Sequence, residues 1–373
     1  MTTLIRRVGN LEDPVPVLNK RPTILSITIV FLVAAWICGA LRLYVRFLIT
    51  SSPGWDDLFV ILVLIFSSFL STATIIATNY GLGHHFFQLG AAGMKNFIMS
   101  FYFCNAAYAI VTTLIKLALL FQYLRIYRRG TKTRLVIILT IMLTIVWGTA
   151  YTFLAWVPCI PVSAYWDLDY YTATRWGFGS RDLIVMAHTF ESHVATNAIL
   201  DVTVFLIPID LFLRRGLEAK SRLSVLCLLF LGLSVNVVSL FRLISLVQSK
   251  AGTYPTFDPS WFACVPIVLA TVEVDLATIC ASLPVFWPVL EVRLKTILIT
   301  REFEVLTDTR QSNNESIESQ TFNLSFHELN RTDSTNTRAT LNNQVLGWTV
   351  STTNTLITGG KMNAQTGQKV AHV

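Results

Sequence analysis

Charged residues are scarce in this chain of 373 residues, because Asp, Glu, Lys and Arg together make up 14% of it, against 53% hydrophobic residues. The mean hydropathy is +0.57. Soluble globular domains carry about 25% charged residues. The composition therefore excludes a soluble globule of this length, and it predicts that lipid is part of the solvent of the folded chain.

Cysteine is also scarce, and 6 scattered cysteines exclude the disulfide framework that holds many small secreted domains together. No apolar segment before Arg21 has the form of a cleavable signal peptide, so we expect the first apolar segment to serve as the insertion signal. The chain has no HExxH or paired-cysteine pattern for a metal and no nucleophile or cofactor motif. We therefore predict a protein that is not an enzyme and that holds no cofactor or metal.

Seven apolar runs are long enough to cross a membrane. A helix needs about 20 residues to cross a hydrocarbon core about 30 Å thick. The runs cover residues 24–49, 58–78, 97–123, 135–157, 183–213, 223–247 and 261–290. No internal repeat of the kind found in many transporters accompanies them. The predicted fold is an all-α bundle of seven transmembrane helices over residues 23–293, with an amino-terminal segment of residues 1–22 before it.

Lysine and arginine are concentrated in alternate connections between the predicted helices. The basic connections hold Arg42 and Arg46, then Arg125, Arg128, Arg129, Lys132 and Arg134, then Arg214, Arg215, Lys220 and Arg222. The other connections hold only Lys95, Arg175, Arg181 and Lys250. Because basic loops are retained on the cytoplasmic side, the amino terminus is predicted outside and the carboxyl terminus in the cytoplasm. The net charge of +7 is attributed to these loops, and no nucleic-acid partner is expected.

The carboxyl-terminal segment, residues 294–373, becomes rich in Ser, Thr, Asn and Gln from about residue 307. Such a composition buries too little apolar surface to offset the entropy of ordering, so we predict a disordered cytoplasmic tail. Sequons at Asn314, Asn323 and Asn330 would indicate an extracellular tail if they were glycosylated. Such matches arise by chance in a segment of this composition, and the loop charges are given more weight.

Ionisable side chains within the predicted helices need partners, because each costs about 2.5 to 3.5 kcal/mol at the centre of a membrane. Lys116 and Asp201 are predicted at a similar depth and form the first expected pair. Arg242 is long enough to reach Glu273 or Asp275 in the seventh helix, which gives the second. These pairs either tie helices together or line a pathway for a ligand or ion, and the sequence favours neither alternative. In the structural alternative, amides would add hydrogen bonds between helices, namely Asn105, Asn197 and Asn236.

Histidines occur near the predicted outer ends of the helices. His188, Glu191 and His193 have a spacing that suits a metal, but a solvated helix end is the favoured interpretation in the absence of a metal motif. His84 and His85 follow a glycine-rich turn and could sense pH or bind a ligand. An ordinary exposed turn is favoured there.

Several short motifs follow one another between residues 22 and 293. They are Arg42-Leu-Tyr-Val-Arg46, Gly54-Trp-Asp-Asp57, Tyr80-Gly-Leu-Gly83, Lys116-Leu-Ala-Leu-Leu-Phe-Gln-Tyr-Leu-Arg125, Pro158-Cys159-Ile-Pro161 with Trp166, Asn197-Ala-Ile-Leu-Asp201, Ser239-Leu-Phe-Arg-Leu243, and Glu273 followed by Leu283-Pro284. In this order and spacing, the chain resembles the fungal rhodopsin-like domain proteins, integral membrane proteins that include a satratoxin-cluster type and receptor-like proteins of plant-pathogenic fungi. The resemblance implies that this family keeps five polar core positions, namely Asp57, Lys116, Asp201, Arg242 and Glu273.

The chain departs from the family pattern at two positions. Members of the family usually have a second cysteine after the tryptophan of the fourth connection, and residues 176–180 contain none. The resemblance therefore leaves Cys104 or Cys264 as the partner in a disulfide with Cys159. Asp275 stands where the family has an amide, and it adds a second acid beside Glu273.

The family name suggests retinal, but the Schiff base of a rhodopsin needs a lysine in the seventh helix, and residues 261–290 contain none. We therefore expect no retinal. We expect a receptor-like protein or an accessory membrane component of a secondary-metabolite pathway, in the plasma membrane rather than an internal one. Its expected partners are the lipid bilayer, a small-molecule ligand and a cytoplasmic signalling protein that binds the basic loops and tail. The alternative is an ion- or proton-coupled transporter that uses Lys116, Asp201 and Glu273.

Overall fold

Seven long helices build the part of the chain that a computed structural model describes, residues 15–167, 172–213 and 219–307. They are α1 (Arg21–Tyr44), α2 (Trp55–Asn79), α3 (Gly90–Ile126), α4 (Lys132–Trp156), α5 (Leu183–Leu213), α6 (Ala219–Gln248) and α7 (Cys264–Thr307). A π-helical turn, Val45–Ile49, extends α1, and a short helical turn, Pro259–Phe262, precedes α7. The predicted all-α class and the seven membrane-crossing helices are confirmed.

The helices extend beyond the apolar runs at several ends. The third was predicted from residue 97, but α3 begins at Gly90, because the apolar run marks only the part at membrane depth and the helix continues past it. Likewise, α7 continues through residues 294–307, which the sequence assigned to the tail. Residues 308–373, which hold the rest of the predicted disordered tail and its sequons, lie outside the described residues, as do residues 1–14, Arg214 and Arg215.

Two helices occupy the middle of the bundle, and two lie mainly at its surface. In the most apolar stretch of α3, 67% of residues are buried, and in that of Pro259–Phe286, which contains the first part of α7, 61% are buried. The corresponding share is 22% for α1 and for α6. The peripheral helices expose large apolar side chains instead, such as Val30 in α1 and Phe230 in α6. Exposed apolar faces on helices of this length fit contact with lipid.

The connections at one end of the bundle are compactly packed. This is the end where α1 begins, and it holds the α2–α3, α4–α5 and α6–α7 connections; it is called the α1-start end below. Two short antiparallel strands, β1 (Cys159–Ile160) and β2 (Thr174–Arg175), pair within the α4–α5 connection. In the α2–α3 connection, Gly83 has a φ of +91°, and a Cβ atom there would clash with the carbonyl oxygen of Asn19. Glycine is therefore required for this turn to pack against the segment before α1.

The predicted disulfide of Cys159 with Cys104 or Cys264 is not formed. All three cysteines lie in the described ranges and are free thiols. The Cys159 thiol donates to the carbonyl of Pro161 at 3.3 Å, and the Cys264 thiol donates to the carbonyl of Leu18 at 3.4 Å. Burial raises the pKa of the Cys159 thiol, which keeps it protonated as a donor. The prediction was wrong because each thiol is held in a different part of the bundle by its own partner.

Candidate functional site

A cluster of buried polar side chains joins α3, α5, α6 and α7 in the middle of the bundle. Its members, called the central cluster below, are Tyr108, Lys116, Asn197, Asp201, Arg242 and Glu273. The predicted pair of Lys116 with Asp201 is confirmed, with 2.8 Å between Nζ and Oδ1. This pair joins α3 to α5. Only 3% of the Lys116 side chain and 11% of the Asp201 side chain are exposed.

Arg242 pairs with Glu273 and not with Asp275. The Nε of Arg242 donates to Oε2 of Glu273 at 3.0 Å, and its guanidinium lies 4.5 Å from the centre of the Tyr108 ring. Tyr108 donates its hydroxyl to the other carboxylate oxygen of Glu273 at 2.9 Å. Asp275 instead accepts a hydrogen bond of 2.6 Å from Ser67 of α2. The sequence left two partners open for Arg242, and the packing of α6 on α7 selects Glu273.

Asn197 connects the two ion pairs. Its side-chain oxygen accepts from Nζ of Lys116 at 2.7 Å. Its amide nitrogen lies 2.9 Å from Oδ2 of Asp201 and 3.0 Å from Oε1 of Glu273. Asn197 therefore forms hydrogen bonds between helices, as the structural alternative expected, and its partners are charged side chains. The central cluster holds two cations and two anions and is balanced in charge, as burial requires.

A cavity of about 650 Å³, counting its open mouth, lies between the central cluster and the α1-start end. We call it cavity A. Its walls are mainly apolar and aromatic, with Phe101, Phe190 and Leu246 among them. Its walls also include Ser249, Ala251 and Gly252 of the α6–α7 connection.

Two residues in the wall of cavity A each have a buried polar atom without a partner. Nη2 of Arg242 and Nε2 of His193 have no hydrogen bond, although these residues are only 3% and 2% exposed. Asn105, which was predicted to join helices, lies in the wall of the cavity. Native proteins rarely leave buried polar atoms unpaired, so these atoms indicate a place where water or a ligand supplies the partner.

A second cavity, of about 460 Å³ counting its open mouth, lies on the other side of the central cluster, and we call it cavity B. Lys116 and Asp201 line it, together with Asn236 and Pro208, the proline inside α5. The side-chain oxygen of Asn236 is buried without a partner, while its nitrogen donates to the carbonyl of Gly232 in its own helix at 2.8 Å. Asn236 therefore does not form the hydrogen bond between helices that the structural alternative expected.

A second ionic cluster lies near the opposite end of the bundle. It consists of Arg42, Asp56, Asp57 and Gln122 and is called the Arg42 cluster. Arg42 donates to Asp57 at 3.0 Å, to Asp56 at 2.5 Å and to Gln122 at 2.8 Å. It also donates to the carbonyl of Ala281 at 2.5 Å, so α1, α2, α3 and α7 all meet at one side chain. Asp57 in addition accepts from the backbone nitrogen of Gly54 at the start of α2.

Arg42 was predicted in a basic cytoplasmic connection, and the structure corrects this. Its side chain is 0% exposed and lies inside the bundle, whereas Arg46, one turn later, is 15% exposed. The sequence contained a signal for this arrangement, since Arg42 falls within the first apolar run and two adjacent acids open the second. A buried arginine with two carboxylates satisfies its planar donor fork, which a solvated loop arginine does not require.

The predicted solvated end of α5 is only partly correct. His188 is exposed and lies 3.2 Å from Glu191, but His193 points into the bundle. The His193 ring stacks on Trp147, with 5.3 Å between ring centres. Within the described ranges, His, Cys, Asp and Glu side chains form no group of three that could hold a metal. The prediction failed for His193 because helical spacing gives proximity to Glu191 but not the direction of the bundle.

The predicted exposed turn is wrong for His85, while His84 is exposed. Nδ1 of His85 lies 2.7 Å from Oδ2 of Asp258, and its ring stacks on Trp261 at 4.0 Å. The other oxygen of Asp258 accepts from the backbone nitrogen of Phe86 at 2.8 Å. His85 therefore connects the α2–α3 and α6–α7 connections. No sequence pattern links these two distant segments.

Comparison with known proteins gives one family match. The model of the fungal rhodopsin domain matches residues 41–292, which is more than half of the chain and includes both ionic clusters and both cavities. Neither a curated protein nor a solved structure matches the chain.

Proposed function

The chain belongs to the fungal rhodopsin domain family, and from this premise we propose that it is a receptor-like integral membrane protein that binds a small ligand in cavity A. We propose further that it is not an enzyme and that it acts without retinal. Seven membrane-crossing helices bring the protein into contact with the lipid bilayer. The ligand and the coupling described below are the proposal.

The observation that carries the proposal is the position of Arg242. This residue belongs to the central cluster and also lines cavity A. A molecule in the cavity therefore contacts a side chain that is ion-paired to α7 through Glu273. If the ligand binds one arrangement of the Arg242–Glu273 pair more tightly than another, it shifts the protein toward that arrangement. A receptor requires such a shift.

Helix α7 offers a physical route from cavity A to the other end of the bundle. Glu273 lies in the central cluster, and the carbonyl of Ala281, eight residues later, belongs to the contacts of Arg42. At 1.5 Å per residue, these positions are about 12 Å apart along one rigid helix. A displacement of α7 beside cavity A would therefore act directly on the Arg42 cluster.

The residues do not suit a retinal chromophore. No lysine lines cavity A among the described residues, and α7 has no lysine between Cys264 and Leu290. The amine of Lys116 belongs to α3, is held by Asp201 and Asn197, and lines cavity B instead. A visible absorption band of the purified protein that hydroxylamine removes would overturn this part of the proposal.

The predicted orientation and membrane remain part of the proposal. We propose an external amino terminus, a cytoplasmic carboxyl terminus that binds a signalling partner together with the basic connections, and a location in the plasma membrane. An epitope tag at each terminus tests this. In intact cells, antibody should label only the amino-terminal tag, and both tags after permeabilisation. Labelling of only the carboxyl-terminal tag in intact cells would reverse the orientation.

The test of the proposed role uses the pair in the central cluster that does not line cavity A. Lys116→Ala, Asp201→Ala and the double variant are assayed first for surface expression and then for signalling. We expect each single variant to reach the surface less and the double variant to signal abnormally. A double variant that is expressed and signals like the wild type would contradict a central role for this cluster.

Cavity B supports a second candidate function, an ion- or proton-coupled transporter. Cavities lie on both sides of the central cluster, and Lys116 and Asp201 line cavity B. An ionisable pair between two cavities is an arrangement that suits a pathway for protons or ions. Purified protein in liposomes with an internal pH dye distinguishes the candidates. A proton flux that Asp201→Asn abolishes would favour the transporter, and no flux would favour the receptor.

An accessory role in secondary metabolism is a further prediction that the same family membership supports. The test is the identity of the neighbouring genes. Genes for a biosynthetic pathway on both sides would favour the accessory role, and their absence would favour the receptor role.

A further inference from the structure

The donor atoms in cavity A restrict the chemistry of its ligand. We propose that cavity A binds a mainly apolar molecule that carries an oxygen acceptor, a carbonyl or a carboxylate, which accepts a hydrogen bond from Nη2 of Arg242. This inference rests on the proposed ligand-binding function. It goes further, because it names the chemical class of the ligand and the atom that recognises it.

The hydrogen bonds around Arg242 show which atom is free. Nε is used by Oε2 of Glu273 at 3.0 Å, and the face of the guanidinium lies on the Tyr108 ring. Oε1 of Glu273 already accepts from Tyr108 and Asn197. Nη2 of Arg242 is buried, has no partner and belongs to a residue in the wall of the cavity. A guanidinium can only donate, so the missing partner is an acceptor.

The rest of the lining excludes a cationic ligand. Among the described residues, cavity A has no aspartate or glutamate in its wall, and its one permanent cation is Arg242. An ammonium group would therefore meet repulsion from Arg242 and find no carboxylate. The large share of apolar and aromatic wall residues, including Leu70, Phe101, Phe190 and Ile267, requires a mainly apolar body.

His193 supplies a second polar contact beside the first. Its Nε2 is buried without a partner, its ring lies 5.8 Å from the Tyr108 ring, and it lines the same cavity. A neutral imidazole nitrogen either donates or accepts, depending on the tautomer. A ligand in cavity A therefore has a second polar residue in the wall besides Arg242. No other buried atom without a partner lines this cavity among the described residues.

The test is a matched series of probes with the same chain length: 2-decanone, decanoic acid, decylamine and decane. Binding to the full-length protein in detergent is measured by the rise in melting temperature with probe concentration, followed by tryptophan fluorescence. We expect 2-decanone or decanoic acid to bind about tenfold or more tightly than decane, because a hydrogen bond to a charged donor is worth at least that factor. Decylamine should bind no better than decane. Whether the ketone or the acid binds more tightly identifies the form of the acceptor.

Two variants make the result specific. Arg242→Lys keeps a cation next to Glu273 but removes Nη2, so the preference for the oxygen probes over decane should fall about tenfold. Ala270→Leu places a larger side chain in cavity A and should weaken the binding of every probe that occupies this cavity. A probe that only partitions into the detergent micelle would give the same result with both variants as with the wild type. Each variant must show a cooperative melting transition before its binding is interpreted.

The outcomes separate this inference from the proposed function. A preference for oxygen probes that Arg242→Lys removes supports the inference. Equal binding of all four probes, weakened by Ala270→Leu, would overturn the acceptor and leave cavity A as a ligand site. Tightest binding of decylamine would overturn the inference in the same way. If no probe binds the wild type, or if Ala270→Leu changes nothing, both the inference and cavity A as the site are overturned.

Discussion

The two ionic clusters of this protein bury similar charges in opposite surroundings. Each cluster contains an arginine that pairs with a carboxylate from another helix, and each joins four helices. Around Arg42, the guanidinium donates to three side chains and one carbonyl, and the carboxylate of Asp57 also holds the start of α2. Around Arg242, Nη2 is buried without a partner, and cavities lie on both sides of the cluster.

This difference shows that buried charge alone does not indicate function. In the Arg42 cluster each of the three guanidinium nitrogens donates a hydrogen bond, as in a structural tie between helices. The central cluster is balanced in charge but incomplete in hydrogen bonds, and Arg242, which carries the unpaired donor, lies in the wall of cavity A. We therefore assign stability to the first cluster and ligand recognition to the second. The following predictions test that division.

The largest effect is expected from Arg42→Ala. It leaves Asp56 and Asp57 buried without their main partner, and breaking a buried pair in this way costs about 3 to 5 kcal/mol. The measurement is the amount of folded protein and its melting temperature in detergent. Arg46→Ala is the matched control, because Arg46 lies farther from the same acids, at 3.6 and 3.7 Å, and is partly exposed. Equal losses for the two variants would contradict the proposed role of Arg42.

A smaller loss is expected from Glu273→Gln. The amide keeps the shape of the side chain but removes the charge beside Arg242, which costs about 1 to 3 kcal/mol. The loss should be smaller than for Arg42→Ala, because water can enter cavity A and solvate the arginine. Asp275→Asn, two residues later in α7, is the control. Asp275 accepts from Ser67 through one oxygen, and its other oxygen is buried without a partner. A neutral amide removes this buried charge, so the melting temperature should stay unchanged or rise.

Much of this architecture could be predicted from the sequence, because length and apolarity alone determine which segments cross a membrane. The pair of Lys116 with Asp201 could also be predicted, since a membrane makes unpaired charges costly. For Arg242 the sequence predicted a partner in α7 but left Glu273 and Asp275 open, and the structure shows Glu273. The burial of His85 and His193 could not, because each depends on aromatic rings brought from other helices or connections. Cavity A likewise results from the packing of five helices, and no local pattern encodes it.

The next prediction concerns the coupling energy between Lys116 and Asp201, and not the stability that a single variant loses. Lys116→Ala and Asp201→Ala should each destabilise the protein, while the double variant should be more stable than the sum of the two losses predicts, by on the order of 1 kcal/mol. The reason is that either single change leaves one buried charge without its partner. A double-mutant cycle of melting temperatures measures this coupling. Strict additivity would mean that the pair contributes no interaction within the central cluster.

The smallest effect is expected for an exposed ion pair. Lys95 lies 2.9 Å from Asp167, but 49% of its side chain is exposed. Lys95→Gln should therefore change stability by less than about 1 kcal/mol, and high salt should remove the difference. The same melting assay gives the scale against which both buried clusters are judged. A loss as large as that of Glu273→Gln would mean that burial does not decide the strength of these pairs.

The division between the two clusters is tested most directly by the rise in melting temperature that 2-decanone produces in two conservative variants. Asp57→Asn weakens the Arg42 cluster and should lower the melting temperature of the free protein, yet it should keep the rise on addition of the ketone. Arg242→Lys should melt closer to the wild type and lose most of that rise. If both variants keep the rise, or if Asp57→Asn loses it while Arg242→Lys keeps it, the central cluster is not the ligand-binding one.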